Sequence, residues 1–339
     1  MKVVRTTDIT QIYKNSFYDL KAINIFQSAN WMEANKTNND SNNNFYLVIE
    51  DKNKVIGIFG FNIYSKNFLG FKIKTLSFIQ NNLSDYSGGI YSSEYKAFKI
   101  AKELYGELLK PEYDWDLIDL DNISQDCSVN IELVSLLKNN NQYKTSLTHR
   151  SECPLLYLDK MENDVDKRQL KDVNRRKKRL EEEFQVQYGL GQTISEKELF
   201  ELLDLKNEVY PDHELMAHAN REIILSILKN GIDYDYSFIK VEGEIVAAHF
   251  GFYDESTFYY YIPVYRKKYS DKGVGSILMS ELISFYHGKG KTKFDFLRGG
   301  EPYKKNWTST TRYTLRFICA KNYKSQLYLR LFQIKNALY

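Results

Sequence analysis

The feature that most constrains the fold is a pattern that occurs twice. Val48-Ile49-Glu50-Asp51-Lys52-Asn53-Lys54-Val55-Ile56-Gly57-Ile58-Phe59-Gly60-Phe61 and Ile239-Lys240-Val241-Glu242-Gly243-Glu244-Ile245-Val246-Ala247-Ala248-His249-Phe250-Gly251-Phe252 each read as an apolar run, a tight polar turn and a second apolar run. That order predicts two strands paired across a short turn. The copies have equal length and end almost alike, Ile-Phe-Gly-Phe against His-Phe-Gly-Phe. A hairpin repeated far along a chain of 339 residues predicts two similar folding units, each with its own core. Their division falls near residue 150, giving domains 1–150 and 151–339.

Helical pattern and further strand flank each hairpin. In the first half, Ile23 to Phe26 leads to Trp31 and an Asn-rich loop, Asn35 to Asn44. Phe71 to Phe78 alternates as a strand, and a polar loop, Asn81 to Gly89, follows. A helix from Glu94 to Leu109 stops before Pro111, Leu117 to Leu120 is a short buried strand, and Ile131 to Lys138 is helical. The second half, from near Pro154, carries a charged helix over Asp166 to Phe184 with a narrow stripe of Leu170, Val173, Leu180 and Phe184. Helices at Glu196–Val209 and Arg221–Leu228 precede the second hairpin. A strand at Thr257–Val264, a glycine turn, a helix at Ser276–Phe285 and a strand at Thr292–Leu297 complete it. Strands alternating with helices, with hairpins among them, predict an α/β fold with mixed sheets.

Composition narrows the function classes. Hydrophobic residues make up 43% and charged residues 27%, a globular profile. The net charge of +3 gives no global field for nucleic acid. Cys127, Cys153 and Cys319 are far apart and form no Cys-x-x-Cys pair, which argues against a disulfide framework or a zinc site and for a reducing cytoplasm. No metal is expected. The N-terminus has no apolar signal region, and no run of 18 apolar residues provides a membrane span.

Two stretches carry chemistry. In Ser270-Asp271-Lys272-Gly273-Val274-Gly275-Ser276, glycines open a helix just after a strand. Glycine lets the backbone approach closely, and the free N–H groups of a helix start point at an anion. Lys267, Lys268 and Lys272 add positive charge. The other stretch is Phe294-Asp295-Phe296-Leu297-Arg298-Gly299-Gly300-Glu301-Pro302-Tyr303-Lys304-Lys305-Asn306-Trp307. Asp295 lies inside an apolar strand, where a carboxylate needs a partner; it is either a base of raised pKa or half of an ion pair with Arg298. Glu301, Tyr303 and Lys304 crowd the turn beyond; Tyr303 can protonate a leaving thiolate, and Arg298 and Lys304 can bind phosphate or carboxylate.

His249 replaces Ile58 when the two hairpins are aligned end to end. It is either a proton acceptor or a satisfied core histidine. The basic run Arg175 to Arg179 is either a phosphate or RNA grip, or a solvated face balanced by Glu181, Glu182 and Glu183.

These residues together resemble the GNAT superfamily. Ser-x-x-Gly-x-Gly after a strand, followed by the Phe-Asp-Phe-Leu-Arg-Gly-Gly-Glu-Pro-Tyr-Lys-Lys-x-Trp stretch, is similar to the CelD/BcsL-like, FemAB-related branch with tandem GNAT domains. Phe26-Gln27-Ser28-x-x-Trp31, Ser84-Asp85-Tyr86 and Asn174-Arg175-Arg176 are similar to it too. The resemblance implies two tandem GNAT-like domains, the first without a cofactor loop and contributing to the substrate pocket. It implies an acyl-coenzyme A donor, with the diphosphate on the amides of Gly273, Val274, Gly275 and Ser276, and Lys268 and Lys272 nearby. Ser270 stands where the family's loop has Gln or Arg. The strand at Ile262 and Val264 would hold the carrier and the oxyanion. That strand has no acid, so His249, Asp295 or Glu301 would relay the amine proton, and Tyr303 would protonate the thiolate. The implied acceptor is a dTDP-linked amino sugar of surface polysaccharide synthesis, held by Trp31, Asp85, Tyr86, Arg175, Arg298 and Lys304. Two alternatives remain: a FemX-like peptidoglycan transferase using aminoacyl-tRNA, and an inactive GNAT-like interaction module.

Overall fold

The computed structural model describes residues 1–9, 20, 22–35, 43–80, 83–209 and 218–337. Most of the expected Asn-rich loop (36–42) and the start of the next loop (81–82) lie outside the described residues. The chain divides into two compact units, one formed by Met1–Ser151 with the chain from Tyr313 onward, the other by Glu152–Arg312.

In the first unit the chain order is β1 (Lys2–Thr6), α1 (Ala29–Asn35), β2 (Asn44–Asp51), β3 (Lys54–Phe68), β4 (Phe71–Phe78), β5 (Ile90–Tyr91), α2 (Ala97–Leu108), β6 (Leu117–Ser124), α3 (Ser128–Lys138) and β7 (Lys144–Tyr157). Strands β1 to β4 form an antiparallel meander, and the α2 crossover brings β6 parallel to β4. Aromatic side chains Phe45, Phe59, Phe61 and Phe78 meet Leu104 and Leu108 of α2 and Leu133 and Leu137 of α3 in one core.

The second unit repeats the plan. It contains α4 (Lys167–Glu183), β8 (Val186–Gln192), α5 (Glu196–Val209), α6 (His218–Lys229), β9 (Tyr234–Val241), β10 (Glu244–Tyr253), β11 (Thr257–Tyr265), α7 (Val274–Gly288) and β12 (Lys293–Asp295). Strands β8 to β11 are antiparallel, β12 is parallel to β11, and the end of β7, Leu155–Tyr157, closes the sheet antiparallel to β12. Helix α4 starts where Asp166 accepts the Arg168 N–H at 2.8 Å, a cap that contributes about 1 kcal/mol. It buries Val173 and Leu180 beside Val274, Ile277 and Leu282 of α7.

The chain then returns as β13 (Thr311–Ala320) and α8 (Tyr323–Ala337). Strand β13 pairs antiparallel with β6, Phe317 opposite Leu120 and Ala320 opposite Leu117, and buries Phe317 and Cys319 in the first unit's core. The second unit is therefore not 151–339. Its last stretch belongs to the first unit, because a strand joins the sheet that satisfies its backbone groups, whatever its place in the chain.

The two hairpins share turn and irregularity. Lys52–Asn53 and Glu242–Gly243 occupy the turns with φ of 49° and 65°, and 50° and 79°. These left-handed pairs match the right-handed twist of the flanking strands. Each hairpin slips register just past the turn, at Ile49/Glu50 and at Ile245/Ala247. Counted from the turn, His249 takes the place of Phe59, not Ile58. A one-residue offset of this kind moves a side chain to the other sheet face. Accordingly Ile58 and Phe59 belong to different core clusters.

All three cysteines are buried and free. Among the described residues no helix is long and apolar enough to cross a membrane.

Candidate active site

Strands β11 and β12 pair only over Thr257–Tyr259 and Lys293–Asp295, after which β11 continues and β12 stops. The strand expected to reach Leu297 ends at Asp295, whose carboxylate bends the chain. Asp295 Oδ1 accepts the Leu297 N–H at 2.9 Å, and Leu297 takes a φ of 61°. A left-handed leucine costs about 1 kcal/mol, so the bend is held by the carboxylate rather than by local preference. Asp295 is 2% exposed, and its Oδ2 accepts from Arg312 Nη2 at 2.5 Å. Arg312 is thus a cation paired with Asp295. We expect Asp295→Asn to destabilise the protein by about 3 kcal/mol, seen as a lower urea midpoint, because Arg312 and the Leu297 amide lose their shared carboxylate.

The β11 side of the gap is shaped by a bulge. Phe250 pairs with Ile262 and Phe252 with Tyr259, so Tyr260 and Tyr261 together oppose Gly251 alone. His249 fills this bulge. Its Nε2 accepts the Tyr261 N–H at 3.1 Å, and its ring stacks on Tyr260 with centroids 4.4 Å apart. A backbone N–H can only donate, so Nε2 carries the lone pair and the ring proton sits on Nδ1, 3.4 Å from Asp235 Oδ2. Burial lowers the His249 pKa, in keeping with a neutral ring. Asp235 also accepts from Tyr286 at 2.7 Å and Ser237 at 3.1 Å. His249 is fully buried within this network. It shapes the bulge through Tyr261.

The bulge decides which groups of β11 face the gap. The Arg266 N–H donates to Val246 O at 2.9 Å. By alternation, Val264 and Ile262 also direct their backbone groups to β10, and Pro263 and Tyr265 direct theirs away. The expected contribution of Ile262 and Val264 amides to an oxyanion site is therefore not available from this geometry. Pro263 has no N–H, and the Tyr261 N–H is held by His249.

A cation missed in the sequence stands at this edge. Lys206 of α5 donates from Nζ to Pro263 O at 3.2 Å and is only 8% exposed. Burial lowers its pKa to about 8; the charge of Glu301 opposes this and that of Lys304 adds to it. The pattern held a signal: Lys206 falls four and three places from Leu202 and Leu203, on the apolar face of its helix.

The turn after β12 gathers the other candidates. Lys304, 3% exposed, pairs with Glu301 Oε2 at 2.8 Å and donates to the carbonyls of Arg298 and Gly299 at 3.1 and 3.2 Å. It clasps the turn from within. The Glu301 side chain remains 51% exposed, and Tyr303 is 38% exposed. Burial, and then Tyr303, push the neighbouring Tyr260 well above its ordinary pKa. Gly299 takes a φ of 119°, which side chains oppose, and a Cβ there would lie 2.3 Å from Glu301 Oε2; one on Gly300 would lie 2.5 Å from Glu152 Oε2. Glu152 is thus a second carboxylate at the turn, absent from the sequence reading.

Helix α7 opens on Gly273 in the left-handed region (φ 70°), with no side-chain cap. The basic run of α4 reaches this loop through one residue. Arg176 Nη1 donates to Asp271 O at 2.8 Å while its Nε pairs with Asp172 at 2.6 Å, and its Cδ would sit 2.8 Å from a Cβ on Gly273. Gly275 differs, because a Cβ there meets only the Tyr265 ring, at 3.5 Å. Val274, Gly275 and Ser276 form the first turn, where the helix dipole favours an anion. Lys268 and Lys272 are paired with Glu244 and Glu183, each at 2.6 Å, which offsets their charge. Arg175, 60% exposed, pairs with Asp172.

In the first unit Trp31 is fully buried, donates from Nε1 to Ser84 Oγ at 2.7 Å, and meets Phe26 edge-on at 4.6 Å. Phe26 in turn meets Tyr86 at 5.8 Å. Tyr86 and Asp85 are buried as well, so these three residues secure the loop before β5. Among the described residues no cluster of three or more His, Cys, Asp or Glu side chains is arranged to hold a metal.

Residues 167–305 match the model of an acetyltransferase (GNAT) domain. No curated protein matches the chain by sequence. Several solved structures share its fold. FemX superposes with a TM-score of 0.61 at 12% identity, covering 97% of this chain and 99% of that one. L-PGS from Bacillus licheniformis gives 0.55 at 15%, covering 92% and 99%. A conserved protein of unknown function from Bacteroides thetaiotaomicron gives 0.56 at 11%, covering 93% and 98%.

Proposed function

We propose, from the match of residues 167–305 to an acetyltransferase (GNAT) domain, that the chain is an N-acyltransferase that moves an acyl group from acyl-coenzyme A to the amine of a nucleotide-linked amino sugar, as in surface polysaccharide synthesis. The observation that carries this reading is the gap between β11 and β12, which opens beside the uncapped start of α7. The diphosphate would rest on the amides of Val274, Gly275 and Ser276. The acyl arm would lie along β11, in the space that β12 vacates.

In the reaction the amine nitrogen attacks the thioester carbonyl, and a C–N bond forms. The oxyanion develops beside Lys206, the cation that donates to the Pro263 carbonyl on this edge. Glu301, half exposed and paired with Lys304, takes the amine proton. The C–S bond then breaks, and Tyr303 gives its proton to the thiolate. His249 and Asp295 hold the two strand ends apart. Much of the rate comes from this positioning.

The test is thiol release from acetyl- or hydroxyacyl-coenzyme A with and without amino-sugar nucleotides. Amine-dependent release supports the reading; none with any acyl-coenzyme A defeats it. The exposed cations of α4, with Arg175 60% and Lys178 78% exposed, favour a second reading with an aminoacyl-tRNA donor and a peptidoglycan-precursor acceptor. Transfer from charged tRNA alone would select it.

A further inference from the structure

We propose that α8 and the β3–β4 turn form a docking surface for an anionic lipid membrane. Helix α8 packs Leu329, Tyr328 and Phe332 on Ile73, Leu117, Ile318 and Ala320. Its opposite face is also apolar: Tyr323 is 67% exposed, Leu327 37%, Leu331 39% and Ile334 56%. At 3.6 residues per turn these four side chains share one stripe about 80° wide. Arg330 borders the stripe on one side, and Lys324 and Lys335 border it on the other. From Lys321 to Tyr339 the chain carries Lys321, Lys324, Arg330 and Lys335 and no acidic residue.

The neighbouring hairpin extends the patch. Phe71 and Phe68 of the hairpin touch Tyr323 and Tyr328 of α8, with ring centroids at 6.0 and 5.1 Å. The turn between them presents Leu69, 67% exposed at a φ of 47°. A bulky apolar residue gains nothing for the fold there: its left-handed backbone is unfavourable and its side chain is in water. Lys72 lies exposed next to it.

An apolar stripe bordered only by cations is the pattern of a helix lying in the headgroup layer, its apolar side chains inserted and its Lys and Arg on anionic phosphates. A second copy fits worse. A two-fold contact along the stripe would set Arg330, Lys324 and Lys335 against their own copies.

The full chain is floated with vesicles of phosphatidylcholine alone or mixed with phosphatidylglycerol. Binding is expected to the anionic vesicles, weaker in high salt, and absent from neutral ones. Leu331→Glu with Ile334→Glu should lower partitioning at least about tenfold, and Lys324→Gln with Lys335→Gln about 25-fold, at about fivefold per cation. Leu69→Ser, outside the helix, should weaken binding several-fold. Circular dichroism and thermal midpoint should be unchanged in all three, since Leu69, Leu331, Ile334 and Lys335 are exposed and Lys324 is only half-buried. No flotation with anionic vesicles, or full binding by all the variants, overturns the proposal. So does a concentration-dependent dimer, without vesicle binding, that Leu331→Glu with Ile334→Glu abolishes; that result would give the stripe to a second copy.

Discussion

Lys206→Met lowers turnover by about two to three orders of magnitude, the range for loss of one oxyanion donor, while making the protein more resistant to urea. The two effects have one cause. A lysine whose pKa burial lowers from 10.5 to about 8 carries an unfavourable charge at pH 7, worth about 3 kcal/mol. Methionine fills a similar volume without that charge, so folding improves by about 1–3 kcal/mol. The pH dependence gives a second readout. Below about pH 8 the folded and unfolded lysine are both protonated, and the cost of burial is carried in full. From about pH 8 to 10.5 the unfolded chain holds more protons, so wild-type stability rises with pH relative to the Met variant. Catalysis runs the other way. The ammonium proposed to face the oxyanion discharges above about pH 8, so the ratio of wild-type to variant kcat/KM is expected to fall there. A ratio that climbs through that pH would make Lys206 a base and remove it from the oxyanion site.

Gly275→Asp is expected to weaken coenzyme A binding at least about 100-fold and leave the urea midpoint equal or higher. The space exists: an added Cβ meets only the Tyr265 ring, at 3.5 Å. An acid in the first turn of a helix is favourable by about 0.3–1 kcal/mol, so the fold is not harmed. The carboxylate occupies the position that the proposed diphosphate needs and repels it. Gly275→Ala, which adds the carbon without the charge, should lose far less affinity. Calorimetric titration of both variants separates charge from space; normal affinity in Gly275→Asp would remove the diphosphate from this turn. Gly273 is a different case, because its left-handed backbone and the Arg176 side chain both oppose a Cβ. Replacing it disturbs the loop itself and so tests nothing about the ligand.

Much of the fold was legible from short stretches. The paired hairpins follow from two apolar runs about a turn, and Glu242–Gly243 adopts the backbone such a turn demands. The α7 start follows from glycines after a strand, and α4 from its spaced apolar residues. The site was less legible. Arg298, Glu301, Tyr303 and Lys304 were found because one turn holds them, yet Lys304 proved to be a clasp on carbonyls of that turn. His249 was recognised as unusual, but its counterpart was misplaced by one residue because the two sequences align better at the strand ends than at the turns. Lys206 lies on the apolar face of its helix, but nothing local shows that it reaches Pro263 of a strand far along the chain.

By itself the sequence determined what is set within about a dozen residues: turns whose backbone only certain residues adopt, helix starts, and strand alternation. Tertiary structure alone decided where β11 and β12 part, that Asp295 meets Arg312, that Lys206 reaches β11, and that β13 joins the first unit's sheet. Those outcomes rest on hydrogen bonds and burial between residues far apart in the chain, and local preference carries no information about which distant partner satisfies a buried polar group.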